Sequence, residues 1–309
     1  MSFFEYFNRN IAITHKLNIM KNSEDLKQIV KETYGNIANQ SKSQNETSCC
    51  GSGCGCSTID EAIMAEDYSQ LPGYTQDADL GLGCGLPTEY AKIKPNDTVI
   101  DLGSGAGNDA FIARAITGAE GKVIGVDFTE RMIEKARLNA EKLGYHNVEF
   151  RLGDIENLPV NDSVANVVVS NCVMNLVPDK AKAFTETYRI LKPGGHFSIS
   201  DIVLTGKLPE GLIKSAEMYA GCIAGAIQKE EYLHVINDAG FINLEIQKNK
   251  KIALPDEILK SYLTDQEIEQ VKKEELGIFS ITVYAEKPGV QPKNLAAKEA
   301  CCGSDSDCC

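Results

Sequence analysis

The stretch Val99-Ile-Asp-Leu-Gly-Ser-Gly-Ala-Gly-Asn-Asp109 constrains this chain more than any other. Val99 to Leu102 is a short apolar run carrying one acid, Asp101, and reads as a buried strand. Gly103, Gly105 and Gly107 follow at every second position, which lets the backbone turn tightly and bring its N–H groups against a ligand. Ala110, Phe111, Ile112 and Ala115 then open a helix whose positive end faces the same spot. Taken alone, such a turn also suits an ordinary tight connection from strand to helix.

Its surroundings decide more. From residue 98 the pattern predicts strands over 98–102, 122–127, 148–152, 164–170 and 195–201. Helices are expected over 109–116, 131–143 and 179–191, the last ending at the stop signal Lys192-Pro-Gly-Gly195. Regular alternation of this kind implies α/β architecture, a parallel sheet covered by helices on both faces. Upstream, Leu26, Ile29, Val30, Thr33 and Ile37 recur at helical spacing and predict a helix over 23–38. Downstream, a helix over 229–239 and late strands over 241–247 and 278–286 are separated by a charged insertion, 249–277. The expected organisation is a leader (1–22), a helix with a cysteine-rich loop (23–90), a ligand-binding α/β domain (91–205), an insertion and C-terminal region (206–288) and a polar tail (289–309). Met20 offers an alternative translation start.

Charge narrows the partners. The 309 residues carry 31 basic and 44 acidic side chains, a formal net charge of −13. Such a surface repels phosphate backbones and anionic lipid, so neither nucleic acid nor membrane is expected as a partner. No apolar run approaches the roughly twenty residues of a spanning helix, and a cytoplasmic chain is expected. There, eleven cysteines are not a disulfide framework, because the compartment keeps thiols reduced. Clustered thiols instead suggest a soft metal or metalloid.

A dinucleotide fingerprint is G-x-G-x-x-G, whereas here the third glycine arrives one residue early. The pattern D-x-G-x-G-x-G resembles motif I of the class I S-adenosylmethionine-dependent methyltransferases. That resemblance implies a Rossmann-like, mostly parallel seven-stranded sheet, with the two late strands as its closing antiparallel hairpin. It implies S-adenosylmethionine as cofactor, held by the turn at Asp101, Gly103, Ser104, Gly105 and Gly107. Asp127 closes the second strand, where a carboxylate can accept from both ribose hydroxyls. Asp154 follows the third strand and can accept from an adenine amino group, with Ile155 covering the ring and Met132 on its other face. Asn171 ends the fourth strand. An acid-lined, aromatic-poor pocket without tryptophan suits a sulfonium cation.

Three dispersed cysteines fall near this rim. Cys172 follows the fourth strand, Cys84 lies in the loop Gly83-Cys-Gly85, and Cys222 lies in the insertion after the fifth strand. Any one of them alone reads equally as an inert core residue. Flanking glycines at Cys84 and Cys222 suggest accessible sulfurs. Zinc favours paired C-x-x-C spacing, often with histidine, and the four histidines here are scattered. Trivalent arsenic binds three thiolates in a pyramid and keeps a lone pair that can attack a sulfonium methyl without a general base.

The segments Gly83-Cys-Gly85, Asp101-Leu-Gly-Ser-Gly105 and Ser170-Asn-Cys-Val-Met-Asn-Leu-Val-Pro-Asp-Lys180, with the Cys222 turn, are similar to the arsenite methyltransferases over residues 25–245. The resemblance implies that Cys172 and Cys222 bind As(III). Cys84 would be a third ligand or, during turnover, pair with an N-terminal cysteine, for which Cys56 fits best by spacing and Cys54 nearly as well. The substrate would be arsenite, free or as a glutathione or other thiol conjugate, with thioredoxin or glutathione as reductant. Two alternatives stand beside it: a carbon or oxygen methyltransferase of a quinone-like metabolite, and a thiol-rich protein that sequesters metalloid. Cys301, Cys302, Cys308 and Cys309 resemble a metalloid-capturing tail or form a dispensable end.

Overall fold

The computed structural model describes residues 23–42, 45, 66–206, 225–252, 260, 263–273 and 277–289. Seven strands form one sheet: β1 (Thr98–Leu102), β2 (Lys122–Asp127), β3 (Val148–Leu152), β4 (Ala165–Asn171), β5 (Leu191–Thr205), β6 (Ile242–Ile252) and β7 (Gly277–Glu286). Their order is β3-β2-β1-β4-β5-β7-β6. The first five run parallel, and β7 is antiparallel to both β5 and β6.

The period of two in the central strands divides their side chains between two cores. Ile100, Ile124 and Val168 point to the side where Phe184, Phe197 and Tyr232 pack. Val99, Val123, Val167 and Val169 point to the other, against Phe111, Ile133 and Ala136. The first face is covered by α5 (Lys180–Ile190) and α6 (Lys229–Asp238), the second by α3 (Asn108–Thr117) and α4 (Glu130–Leu143). Further elements are α1 (Ser23–Ile37), α2 (Pro87–Tyr90) and α7 (Asp265–Lys273).

The fold corrects three boundaries. The fifth strand begins at Leu191 and reaches Thr205, well past the expected 195–201. The Lys192-Pro-Gly-Gly195 run is not its boundary but a bulge: Leu191 pairs with Ala165 and His196 with Val167. Gly195 is required there, since a Cβ would lie 2.9 Å from the Asn166 carbonyl oxygen. The overhang to Thr205 exists because β7 pairs with β5 along its length, Gly277 reaching Thr205. The same hairpin draws 249–252, expected in an insertion, into β6. The other elements lie within about a residue or two of expectation.

Placement of α1 follows from its polar contacts. Arg131 Nη1 and Lys135 Nζ, both on α4, donate to the carbonyls of Gly35 (3.2 Å) and Ala38 (3.0 Å) at its C-terminal end. Positive charge at a helix C-terminus is favourable. Val30 and Ile37 supply the buried stripe. The helix thus lies over the start of α4, beside the carboxyl ends of β1, β2 and β3.

Candidate active site

A cleft opens at the carboxyl ends of β1 to β4, where ligands of doubly wound sheets bind. Its empty volume, about 1170 Å³ with its open mouth, accommodates a nucleoside-sized ligand. Asp101, Gly103, Ser104, Gly105, Asp127, Met132, Asp154, Ile155, Asn171 and Cys172 all line it, so four strand ends contribute as expected. Gly107 does not. At φ +101° it caps α3, and a Cβ there would meet the Phe111 ring at 2.8 Å, so this glycine serves the core.

The turn itself works differently from expectation. The N–H groups of Gly103 and Ser104 donate to the Val126 carbonyl, at 2.7 and 3.1 Å, and Gly107 N–H donates to Ser104 O. Gly105 N–H is 3.0 Å from Asp127 Oδ2. These donors tie the end of β1 to the end of β2 and leave the cleft rich in acceptors, which suits a cation or hydroxyls better than a phosphate. Asp127 accepts the Gly105 N–H on Oδ2 and the Thr129 N–H on Oδ1, the latter at 2.8 Å, and lines the cleft where a hydroxyl can reach it.

Charge agrees. Asp79, Asp101, Asp109, Asp127 and Asp154 line the cleft, with Lys27 the only lysine or arginine among its described lining residues. Burial, then the nearby Asp109 and Asp127 carboxylates, pushes the Asp101 carboxyl well above its ordinary range. Burial pushes Asp109 up to about 6, against hydrogen bonds from Asn171 and Tyr68, and also raises Asp127. A cation bound beside these groups reverses that shift and is itself held by it. Asp101, Ser104 and Asn108, which line the cleft, each carry a buried oxygen without a protein hydrogen-bond partner: Oδ2, Oγ and Oδ1. The residues therefore fit a sulfonium nucleoside. The pocket is nonetheless less poor in aromatics than expected, because Tyr34, Tyr68 and Phe128 line it.

Asp154 has a partner that the sequence did not suggest. Lys27 of α1 reaches Asp154 Oδ2 at 2.7 Å and Glu156 Oε2 at 2.6 Å. The first helix therefore forms one wall of the cleft, through Lys27, Val30 and Tyr34. Its amphipathic spacing announced a helix but carried no information on which surface it covers.

Past β4 the backbone turns sharply. Cys172 has φ +60°, a left-handed conformation that is uncommon for a residue with a Cβ. Its N–H donates to Ser200 O at 2.8 Å, and the residue is 6% exposed and lines the cleft. Strain of this kind persists where the surroundings over-determine it, commonly at functional sites. Cys84 is fully buried, contrary to the expectation that Gly83 and Gly85 leave its sulfur accessible. The glycines serve close packing instead: a Cβ on Gly83 (φ +99°) would lie 2.7 Å from the Asn171 amide, and one on Gly85 2.5 Å from Ser200 Oγ. Cys84 and Cys172 thus sit on adjoining backbone, joined through Asn171 and Ser200. Gly103 (φ +69°) touches the same segment, since a Cβ on it would collide with the Val173 side chain. Cys56 and Cys222, like Cys54 and the C-terminal cysteines, lie outside the described residues. Among the described residues no three His, Cys, Asp or Glu side chains gather as a metal site, and no helix is long and apolar enough to cross a membrane.

Residues 93–240 match a family model described as a methyltransferase domain. The chain is 40% identical over 281 residues to an arsenite methyltransferase of Halobacterium salinarum, covering 87% of this chain and 68% of that protein. It is 33% identical over 243 residues to an arsenite methyltransferase of Aquipseudomonas alcaligenes, covering 76% and 68%. Among solved structures it resembles CrArsM, an arsenic(III) S-adenosylmethionine methyltransferase from Chlamydomonas reinhardtii, with a TM-score of 0.57 and 33% identity over 69% of this chain and 70% of that one.

Proposed function

This chain belongs to the arsenite methyltransferase family and is an S-adenosylmethionine-dependent enzyme, and from that premise we propose how its residues divide the work. Cys172 and Cys222 hold As(III), with Cys84 as third ligand. Asp127 receives the ribose hydroxyls, Asp101 and Ser104 face the sulfonium end, and Met132 and Ile155 enclose the adenine beside Asp154. The bound donor supplies an activated methyl group on a positively charged sulfur. The chain's own contribution is placement, and holding two reactants at near-attack distance can supply roughly 7–11 kcal/mol. No general base is required, because arsenic carries no proton to remove.

The observation that carries this reading is Cys172 itself: a strained, buried thiol one residue past β4, lining the same cleft as the carboxylates. The segment 206–288 contributes Cys222 to the arsenic site. Methyl transfer to the lone pair leaves arsenic formally pentavalent. Cys84 with Cys56 or Cys54 returns it to the trivalent level by giving up two electrons and two protons as a disulfide forms, and thioredoxin or glutathione in the cytoplasm reduces that disulfide between turnovers. Neither a quinone-like substrate nor simple sequestration is favoured by the relatives, which are named for arsenite methylation. The test is chromatographic speciation of arsenic after incubation with arsenite, S-adenosylmethionine and a thiol. Wild-type protein yields methylated arsenicals, whereas Cys172→Ser keeps cofactor binding and yields none. Undiminished turnover by that variant ends the assignment.

A further inference from the structure

Asn171 is the last residue of β4, and its amide is where two thiol-bearing segments meet. Oδ1 accepts the Cys84 N–H at 3.0 Å, and Nδ2 donates to the Gly85 carbonyl at 2.8 Å. Nδ2 also lies 3.2 Å from Asp109 Oδ2 and donates to the Tyr68 hydroxyl. That hydroxyl is itself 3.0 Å from Gly85 O and 3.1 Å from Asp109 Oδ2. Two amide hydrogens therefore face three protein acceptors, and neither is left for a ligand. In sequence Asn171 precedes Cys172 directly; in space its amide holds the backbone on both sides of the Cys84 carbonyl. The opposite side of the loop rests on Ser200, whose carbonyl receives the Cys172 N–H.

We propose that Asn171 is a positioning residue: by clamping Cys84 N–H and Gly85 C=O to the end of β4, it fixes the Cys84 thiol relative to Cys172 and so sets arsenite affinity rather than cofactor affinity. This rests on the reading of both thiols as arsenic ligands and departs from the expectation that Asn171 binds the cofactor. Two thiols on separate loops bind one arsenic tightly only when their spacing is set beforehand, since ordering them during binding subtracts from affinity. Tyr68 and Asp109 brace the amide from behind, where Tyr68 is 2% exposed and Asp109 8%. Without the clamp, the Cys84 N–H loses its partner, the Gly85 carbonyl keeps only the Tyr68 hydroxyl, and the loop shifts to recover the missing bond.

The experiment measures two affinities separately, by equilibrium dialysis of arsenite with elemental detection and of labelled S-adenosylmethionine, on the full chain. Asn171→Ala is expected to weaken arsenite binding roughly tenfold, the effect of losing one buried hydrogen-bond partner, and to weaken cofactor binding by clearly less, since its amide also bonds Asp109 on the cleft wall. Tyr68→Phe, which keeps the amide and removes one brace, shifts arsenite affinity in the same direction. A merely structural role is separated by a double mutant: Asn171→Ala in a Cys84→Ser background adds nothing to Cys84→Ser alone if Asn171 acts through Cys84. Additive losses, or a cofactor affinity that falls as far as arsenite affinity, overturn the proposal. If Asn171→Ala does not fold, unchanged arsenite binding by Tyr68→Phe overturns it. Cys172→Ser is the control for the underlying reading. Arsenite binding retained by Cys172→Ser sinks the thiol assignment itself, whereas loss there with wild-type binding by Asn171→Ala sinks only the positioning role.

Discussion

Replacing Asp201 by asparagine gives the prediction whose size follows most directly from the structure. Asp201 lies in β5 just past the last pair that strand makes with β4, opposite Ile281 of β7, and is completely buried. Its carboxyl accepts from the Ile202 N–H at 3.1 Å and from the Tyr232 hydroxyl at 3.1 Å. Burial pushes it up to about 7, even though Lys180 and these hydrogen bonds pull the other way. The folded protein therefore binds this proton more tightly than the unfolded chain, whose aspartates titrate near 4. Where the native state holds more protons, stability falls as pH rises. The loss begins near pH 4 and is complete above the folded value of about 7. At roughly 1.4 kcal/mol per tenfold change it reaches roughly 4 kcal/mol, of which roughly 2–3 kcal/mol falls between pH 5 and pH 8. The amide of the Asp201→Asn variant cannot titrate. It keeps one acceptor oxygen and loses the other, a pH-independent deficit of roughly 1 kcal/mol. Urea unfolding at pH 5, 6, 7 and 8 should show the variant less stable than wild type at the acid end and overtaking it toward pH 8. A gap between the two proteins that stays constant across that range would refute the reasoning.

Two further predictions concern the cofactor. Asp127→Asn places an N–H₂ group against the backbone N–H of either Gly105 or Thr129, so S-adenosylmethionine binding should weaken roughly 5- to 150-fold by titration calorimetry, with arsenite binding in dialysis little changed. An unaltered calorimetric affinity would remove Asp127 from the site. Gly103→Ala puts a Cβ into the Val173 side chain at φ +69°; it should lower the thermal midpoint and reduce affinity for both ligands, since Gly103 touches the segment after Cys172. Wild-type values for both affinities would show that this contact transmits nothing.

The sheet was legible because its signals are local. The central strands β1, β2 and β4 are short, largely apolar and divided between the two cores by parity, so they fall close to where the pattern places them, and the edge strand β3 follows from its alternation of Val148, Phe150 and Leu152 with Glu149 and Arg151. The start of β5 was not legible, since Pro193 and two glycines look like a stop until β4 is seen to absorb them as a bulge. The strand ends told where the cleft lies, and their spacing placed Asp127, Asp154 and Cys172 there, while Asp101 came from the resemblance to methyltransferase motif I; all four line the cleft. What each group does there depended on partners remote in sequence. Asn171 bonds residues 62 to 103 positions away, and Lys27 bonds Asp154 across 127. Glycines flanking Cys84 suggested exposure, whereas their missing side chains let the loop press against Asn171 and Ser200 and bury the sulfur. Nothing in a one-dimensional pattern distinguishes a glycine that opens a site from one that closes it.

The most direct test is an anomalous difference map at the arsenic absorption edge, from crystals of the full chain grown with arsenite. The account predicts a peak within bonding distance of the Cys172 sulfur and adjoining Cys84, beside the cleft lined by Asp101 and Asp127. A peak confined to the cysteine-rich stretches 49–56 or 301–309, with none at Cys172, would contradict it.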